Sequence, residues 1–157
     1  MRNFICTALT ILFCSGALAS DDLIAFIGEA ISATRSEKSC SEYTLPGHED
    51  EICMDRVFEL KYEVKEPLIG QNMGSSISFT GFYHYWGLPN YAMWKNGLMI
   101  LKKTKFGYIL QESEWADFVN GQWATCKKWS ENSDECSEYV PVSEYLKKFN
   151  NYKQRDH

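Results

Sequence analysis

The chain has 157 residues and a formal net charge of −5, and 45% of its residues are hydrophobic. This length suits one globular domain with a core of its own. Because a net negative chain gains no general attraction to phosphates or to anionic membranes, a nucleic-acid partner is not expected.

Residues 1–19 have the organisation of a secretory signal peptide. Arg2 precedes an apolar run, which is followed by the small-residue pattern Ala17-Leu18-Ala19 of a cleavage site. The apolar run is too short to span a bilayer comfortably, so no transmembrane segment is expected after cleavage. We therefore predict a signal peptide at 1–19, a single domain at 20–157, and a secreted or periplasmic location.

Four cysteines remain after the predicted leader, namely Cys40, Cys53, Cys126 and Cys136. An even number in an exported chain indicates disulfides, and four cysteines allow three connectivities. The pairs Cys40–Cys53 and Cys126–Cys136 are favoured because each is close in sequence and encloses a polar segment. The spacings are longer than the short steps of structural zinc sites, so no metal site is expected.

The first element of the mature chain is predicted to be an amphipathic helix over residues 21–35. Its apolar residues recur at helical spacing, and Asp21 or Asp22 is a suitable N-cap. The apolar set is Leu23, Ile24, Phe26, Ile27, Ala30 and Ile31. The following loop contains a Pro46-Gly47 turn, and its run of His48, Glu49, Asp50 and Glu51 is interpreted as a solvated acidic loop.

Five strands are predicted next, over residues 55–65, 76–86, 98–101, from 108 onwards, and 122–126. The first alternates cleanly, with Phe58, Leu60 and Tyr62 on one face and charged residues on the other. Gly81 predicts a bulge or bend in the second strand. Asn120-Gly121 is a strong hairpin signal before the last strand. A polar loop then leads to a final helix that begins at Pro141 and Val142 and has one apolar stripe.

Five short strands with a helix at each end favour a small closed barrel, because an open sheet would expose two edges. The two stretches VFELKYEVKEPLIG and SISFTGFYHYWGLPNYAMWKNGLMILKK carry a resemblance. Over residues 55–126 the chain resembles secreted OB-fold modules of the netrin-like type, to which the tissue metalloproteinase inhibitors belong. The resemblance implies an OB-like barrel. Those inhibitors use an N-terminal cysteine, whereas the first cysteine here is Cys40, so their inhibitory residue has no counterpart.

The most apolar stretch, residues 79–101, contains the candidate binding residues. Aromatic side chains supply binding hot spots for proteins and stacking faces for sugars, and OB-type barrels bind ligands near their second and third strands. The candidates are Phe82, His84, Trp86, Tyr91 and Trp94. They predict a non-enzymatic binding or inhibitory module whose partner is another protein or a carbohydrate.

A small secreted enzyme is the alternative interpretation, with His84 and nearby acidic residues as its active site. Ser78 lies on the same predicted strand about 20 Å from His84, too far to serve as its nucleophile. The sequence contains no common hydrolase signature and no phosphate-binding glycine loop, so no cofactor is predicted.

Overall fold

The computed structural model of the protein describes residues 22–43, 53–70, 73–130 and 135–152. The predicted signal peptide, the Pro46-Gly47 turn and the acidic loop at residues 48–51 lie outside these ranges. The chain is mainly β. Its elements are β1 Leu23–Ser39, β2 Arg56–Ile69, β3 Ser76–Tyr83, β4 Gly97–Thr104, β5 Gly107–Val119, β6 Gln122–Trp129, β7 Cys136–Pro141 and α1 Val142–Tyr152, with 3-10 turns at Cys40–Tyr43 and Asn90–Met93.

The N-terminal helix predicted over residues 21–35 is wrong, because this segment is the strand β1. The first half of β1 is buried on both faces. Ile24 and Phe26 point into one apolar cluster, and Ala25 and Ile27 point into another. A strand buried on both faces has a continuous apolar run rather than an alternating one. The same apolar residues also fit the spacing of an amphipathic helix, which is why a helix was predicted.

Five strands close into a ring-like sheet. β1 pairs with β2 and β4, β2 pairs with β3, and β4 pairs with β5, all antiparallel. A parallel contact between β3 and β5, at Thr80 and Ile109, completes the circuit. The prediction of five strands in closed order is thus right in its coarse form. The fifth member of the ring is β1, however, and among the described residues there is only one α-helix, not a pair.

The interior of the ring is the larger of two apolar clusters, here called the ring core. It comprises Ile24, Phe26, Phe58, Leu60, Tyr62, Ile77, Phe79, Tyr91, Met99 and Leu101. Phe58, Leu60 and Tyr62 face inward as the alternation of β2 predicted. Of the bulge or bend predicted at Gly81, the bulge is absent, since Gly81 pairs with Phe58 in an unbroken register. The ring core explains this glycine differently, because a Cβ there would lie 2.6 Å from the Tyr91 hydroxyl oxygen and 2.7 Å from Leu60 Cδ1.

The smaller cluster lies outside the ring and is covered by α1. Val142 and Leu146 of the helix pack there with Ala116 and with Leu98 and Ile100 of β4. The C-terminal helix was therefore predicted correctly. β6 and β7 extend the sheet beyond the ring, in the order β5-β6-β7. β7 was not predicted from the sequence, because none of its six residues is fully buried and it has no clear apolar alternation.

Both predicted disulfides are present, Cys40–Cys53 with a Cα–Cα distance of 5.7 Å and Cys126–Cys136 with 5.6 Å. The predicted hairpin is confirmed as well. Asn120 and Gly121 have φ values of 52° and 81°, which the two central residues of a type I′ turn require. Within the described ranges no helix has the length and apolar character needed to cross a membrane.

Candidate binding surface

β3 ends at Tyr83, so the segment that follows it is not part of the sheet. The prediction had continued this strand to residue 86. Residues 84–89 instead form an irregular loop, and Asn90–Met93 forms the 3-10 turn that leads back towards β4. The loop and the turn together carry four large side chains on the outside of the protein. Their exposed fractions are 68% for Tyr85, 85% for Trp86, 51% for Leu88 and 70% for Met93. These four residues, together with Arg56, which contacts Trp86 and Tyr85, are called the exposed loop surface below.

Trp86 is held in place by an arginine from another part of the chain. The Arg56 guanidinium lies 3.6 Å from the centroid of the Trp86 ring. Its Nη1 donates a hydrogen bond of 2.6 Å to the backbone carbonyl of Tyr85. Arg56 begins β2 and pairs with Tyr83 across the sheet. The sheet register therefore places the guanidinium beside the loop, and a cation–π contact fixes the indole without burying it.

His84 is exposed and lies next to an acidic residue. Its Nδ1 is 3.1 Å from Asp55 Oδ1, and its ring makes an edge contact with Tyr85 at a centroid distance of 5.8 Å. Among the described residues, Asp55 is the side chain that is hydrogen-bonded to His84. A hydroxyl or thiol that could act as a nucleophile is not hydrogen-bonded to it in these ranges. The geometry therefore gives His84 an oriented ring beside the exposed loop surface.

Tyr91 belongs to the ring core and not to the surface. It is only 7% exposed, and its backbone carbonyl accepts a hydrogen bond of 2.7 Å from the Tyr62 hydroxyl. Burial raises the pKa of both phenols, and the neighbouring tyrosine adds to the effect at Tyr62. Trp94 is half-buried and packs against the ring core, with its ring 6.4 Å from that of Tyr91.

Phe82 lies on the outer face of β3 in a separate aromatic group. It is half-buried, and its ring is 5.6 Å from that of Tyr43, which in turn is 5.4 Å from Phe106. Of the five candidates, the structure therefore brings only His84 and Trp86 together on one exposed surface. Tyr91 lies in the ring core and Trp94 packs against it, whereas Phe82 lies beside the 3-10 turn at Cys40–Tyr43.

Four members of this surface were not predicted from the sequence, namely Arg56, Tyr85, Leu88 and Met93. Tyr85 fell within the predicted strand over residues 76–86, which was extended too far. The Gly87-Leu88-Pro89 break, where Gly87 has a φ of 92°, set the predicted end at residue 86, whereas β3 ends three residues earlier, at Tyr83. Nothing in the local sequence pointed to Arg56, because its position beside Trp86 depends on the pairing of β2 with β3.

Comparison with known proteins does not assign this chain to a family. No family model, no curated protein sequence and no solved structure matches it. Within the described residues there is also no group of three or more His, Cys, Asp or Glu side chains placed to hold a metal ion. The geometry of the exposed loop surface is therefore the basis for a functional proposal.

Proposed function

We propose that the protein is a non-enzymatic binding module of the secretory or periplasmic space, built on an OB-like ring, that engages a partner through the exposed loop surface. The observation that carries the proposal is Trp86, a large indole that is 85% exposed and yet oriented by Arg56. Exposed aromatic and arginine side chains of this kind are the residue types that dominate binding energy at interfaces.

The surroundings of Trp86 support a binding role. Tyr85, Leu88 and Met93 expose further apolar area within the same short segment. A cluster of large apolar side chains on a monomer is typical of an interaction site. The closed order of five strands supports the OB-like interpretation, in which ligands approach the second and third strands. The exposed loop surface follows directly after the third of these strands.

A protein is favoured over a carbohydrate as the partner. Sugar rings stack on flat aromatic faces, and one face of the Trp86 ring is covered by Arg56. Leu88 and Met93 offer flexible apolar side chains, which adapt to the side chains of a protein. The two disulfides and the leader-like residues 1–19 are compatible with an exported protein that meets such a partner outside the cytosol.

The proposal is tested by affinity capture from the secreted or periplasmic fraction of the cells that make the protein. Three baits are compared: the wild type, Trp86→Ala, and Phe118→Ala as a matched control. Phe118 is an exposed aromatic on the β5–β6 hairpin, remote from the loop in the sheet. We expect the wild type and Phe118→Ala to retain the same protein, and Trp86→Ala to retain at least tenfold less of it.

Two outcomes would contradict the proposal. Equal retention of the partner by Trp86→Ala would show that binding does not use this surface. Release of everything bound by simple sugars would assign the surface to carbohydrate and not to protein. Circular dichroism melts of each bait, compared with the wild type, exclude loss of folding as the cause of any difference.

A further inference from the structure

An open depression adjoins the exposed loop surface, where β1 separates from β2. Arg35 pairs with Phe58 of β2, but the next paired residue of β1 is Ser39, opposite Arg56. Between these two pairs β1 advances by four residues and β2 by two. The extra residues of β1 therefore interrupt the regular pairing. The space below them has a volume of about 650 Å³ and is lined by residues 35–39 and 54–57.

The depression has a local excess of positive charge in a chain that is negative as a whole. Three cations line it, namely Arg35, Lys38 and Arg56, against two carboxylates, Glu37 and Asp55. Asp55 is oriented towards His84, at 3.1 Å from its Nδ1. The formal net charge of the whole chain is −5. A cationic site on such a chain attracts acidic groups locally while most of the surface repels them.

Arg56 is common to the depression and the exposed loop surface, and it is arranged to bind an anion. A guanidinium has five N–H donors. The Tyr85 carbonyl accepts from one Nη1 group, and within the described ranges no carboxylate lies at ion-pairing distance from Arg56. The Trp86 ring and the Tyr85 carbonyl already restrict the side chain. Binding therefore loses less rotamer entropy than it would with a free arginine.

We infer that the depression binds an acidic segment of the protein partner, with Arg56 contacting a carboxylate through its forked N–H groups. Arg35 and Lys38 attract the rest of the segment electrostatically. An apolar side chain next to the carboxylate packs on Met54, which is exposed at the rim of the depression, and on the open part of Trp86. This inference rests on the proposed function, because it specifies what the partner presents to the same surface.

Two features favour an acidic peptide over a sulfated polysaccharide. The planar fork of arginine matches the planar carboxylate and makes two parallel hydrogen bonds to it. Exposed apolar side chains also lie near the cations, since Met54 lines the depression and Trp86 contacts Arg56. A polyanionic sugar chain gains little from thioether and indole side chains, whereas a peptide with mixed acidic and apolar residues uses both.

The test uses a fluorescent synthetic peptide of alternating glutamate and leucine, and a second peptide with glutamine in place of glutamate. Fluorescence anisotropy is measured with the full-length mature protein. The wild type is expected to bind the glutamate peptide and to show at least roughly tenfold weaker binding of the glutamine peptide. Arg56→Gln should lose roughly the same factor for the glutamate peptide, and Arg56→Lys, which keeps the charge but not the fork, should lose part of it.

Lys103→Gln is the matched control, because it removes the same charge from an exposed position at the end of β4. It should bind the glutamate peptide as the wild type does. Equal affinity of the wild type for both peptides would overturn the inference. So would an equal loss in Lys103→Gln, which would indicate an unspecific charge effect. Tighter binding of a sulfated oligosaccharide, abolished by Arg56→Gln, would assign the site to the other class of ligand.

The capture experiment separates this inference from the proposed function. If Trp86→Ala loses the natural partner while Arg56→Gln retains it fully, the exposed loop surface binds its partner without a carboxylate at Arg56, and only the inference fails. If Trp86→Ala also retains the partner, the proposed function fails as well.

Discussion

The segment after β3 has two halves with the same kinds of side chain and opposite environments. Residues 84–88 place a histidine, a tyrosine, a tryptophan and a leucine in solvent, whereas Tyr91 lies in the ring core and Trp94 packs against it. Pro89, between the halves, is fully buried. The comparison shows that aromatic composition does not distinguish a core from a binding surface. What distinguishes them is the path of the backbone relative to the five-stranded ring-like sheet.

The largest effect is expected for Tyr91→Ala, which removes a buried ring from the ring core. Large-to-small changes of buried aromatics cost about 3–5 kcal/mol of unfolding free energy. Tyr85→Ala is the matched control, because it truncates the same side chain in the exposed half. Urea denaturation should show a large loss of stability for the first variant and little change for the second. Similar stabilities for the two would place Tyr91 outside the core.

A smaller destabilisation is expected for Gly81→Ala, which tests the close approach of Tyr91 to β3. The new methyl group would lie 2.6 Å from the Tyr91 hydroxyl oxygen and 2.7 Å from Leu60 Cδ1. Overpacking of this kind costs about 1–3 kcal/mol. Thermal melts should also show that adding Tyr91→Phe recovers part of the loss, because it removes one of the two clashing atoms. A double variant no better than Gly81→Ala would contradict this account of the glycine.

The ring core should also respond to alkaline pH. Burial raises the pKa of Tyr62 and Tyr91 in the folded protein, so the folded state holds these protons more tightly than the unfolded chain does. Their stabilisation is fully present below the unfolded pKa of about 10 and is lost as pH rises towards the folded values. Each phenol contributes a slope of up to about 1.4 kcal/mol per pH unit.

Tyr62→Phe isolates one of these groups. Below pH 10 it should cost about 1 kcal/mol, because the carbonyl of Tyr91 loses its hydrogen bond. Above that pH the variant should lose stability less steeply than the wild type. Denaturant titrations across this range measure both effects. Parallel pH profiles for the two proteins would show that Tyr62 ionises as readily in the folded state as in the unfolded one.

The smallest effect on stability is expected for Trp86→Ala, in the exposed half. Surface substitutions of this kind usually change the free energy of unfolding by about 0.5 kcal/mol or less. Trp94→Ala should cost clearly more, because its ring packs against the ring core. Differential scanning calorimetry of both variants gives the comparison. If Trp86→Ala melted as early as Trp94→Ala, the indole at position 86 would have a structural role.

Much of the fold was predictable from the sequence, because several of its patterns are typical of a single kind of local structure. The alternation of Phe58, Leu60 and Tyr62 indicates a half-buried strand, and Asn120-Gly121 between two apolar segments indicates a tight hairpin; both are confirmed. β1 was not predictable in the same way. Its first half is buried on both faces, so its apolar residues carry no period of two. Only the tertiary arrangement, with β2 and β4 on either side, decides between strand and helix.

The candidate surface was predictable in part, for a related reason. Trp86 and His84 were predicted as binding residues at the end of a strand, and they lie instead in the loop that follows β3. Tyr91 lies only five positions further on, yet the turn at Asn90–Met93 directs it inward. The position of Arg56 beside the loop could not be predicted, because it depends on the pairing of Arg56 with Tyr83, two residues far apart in sequence.

The closure of the ring has a consequence for how quickly the chain folds. β1 meets β4 through pairs such as Leu23 with Lys102, so a long stretch of chain must be ordered before this contact forms. Contacts between residues that distant slow folding, because their loop-closure entropy is lost before they stabilise the structure. The Cys40–Cys53 disulfide lies within this stretch but bypasses only 13 residues, and the Cys126–Cys136 disulfide, which spans 10, lies outside it. Because loop-closure entropy changes slowly with loop length, neither disulfide alters it much. Oxidised and reduced chains should therefore share one rate-limiting step, which stopped-flow refolding of both forms would reveal as equal slow phases.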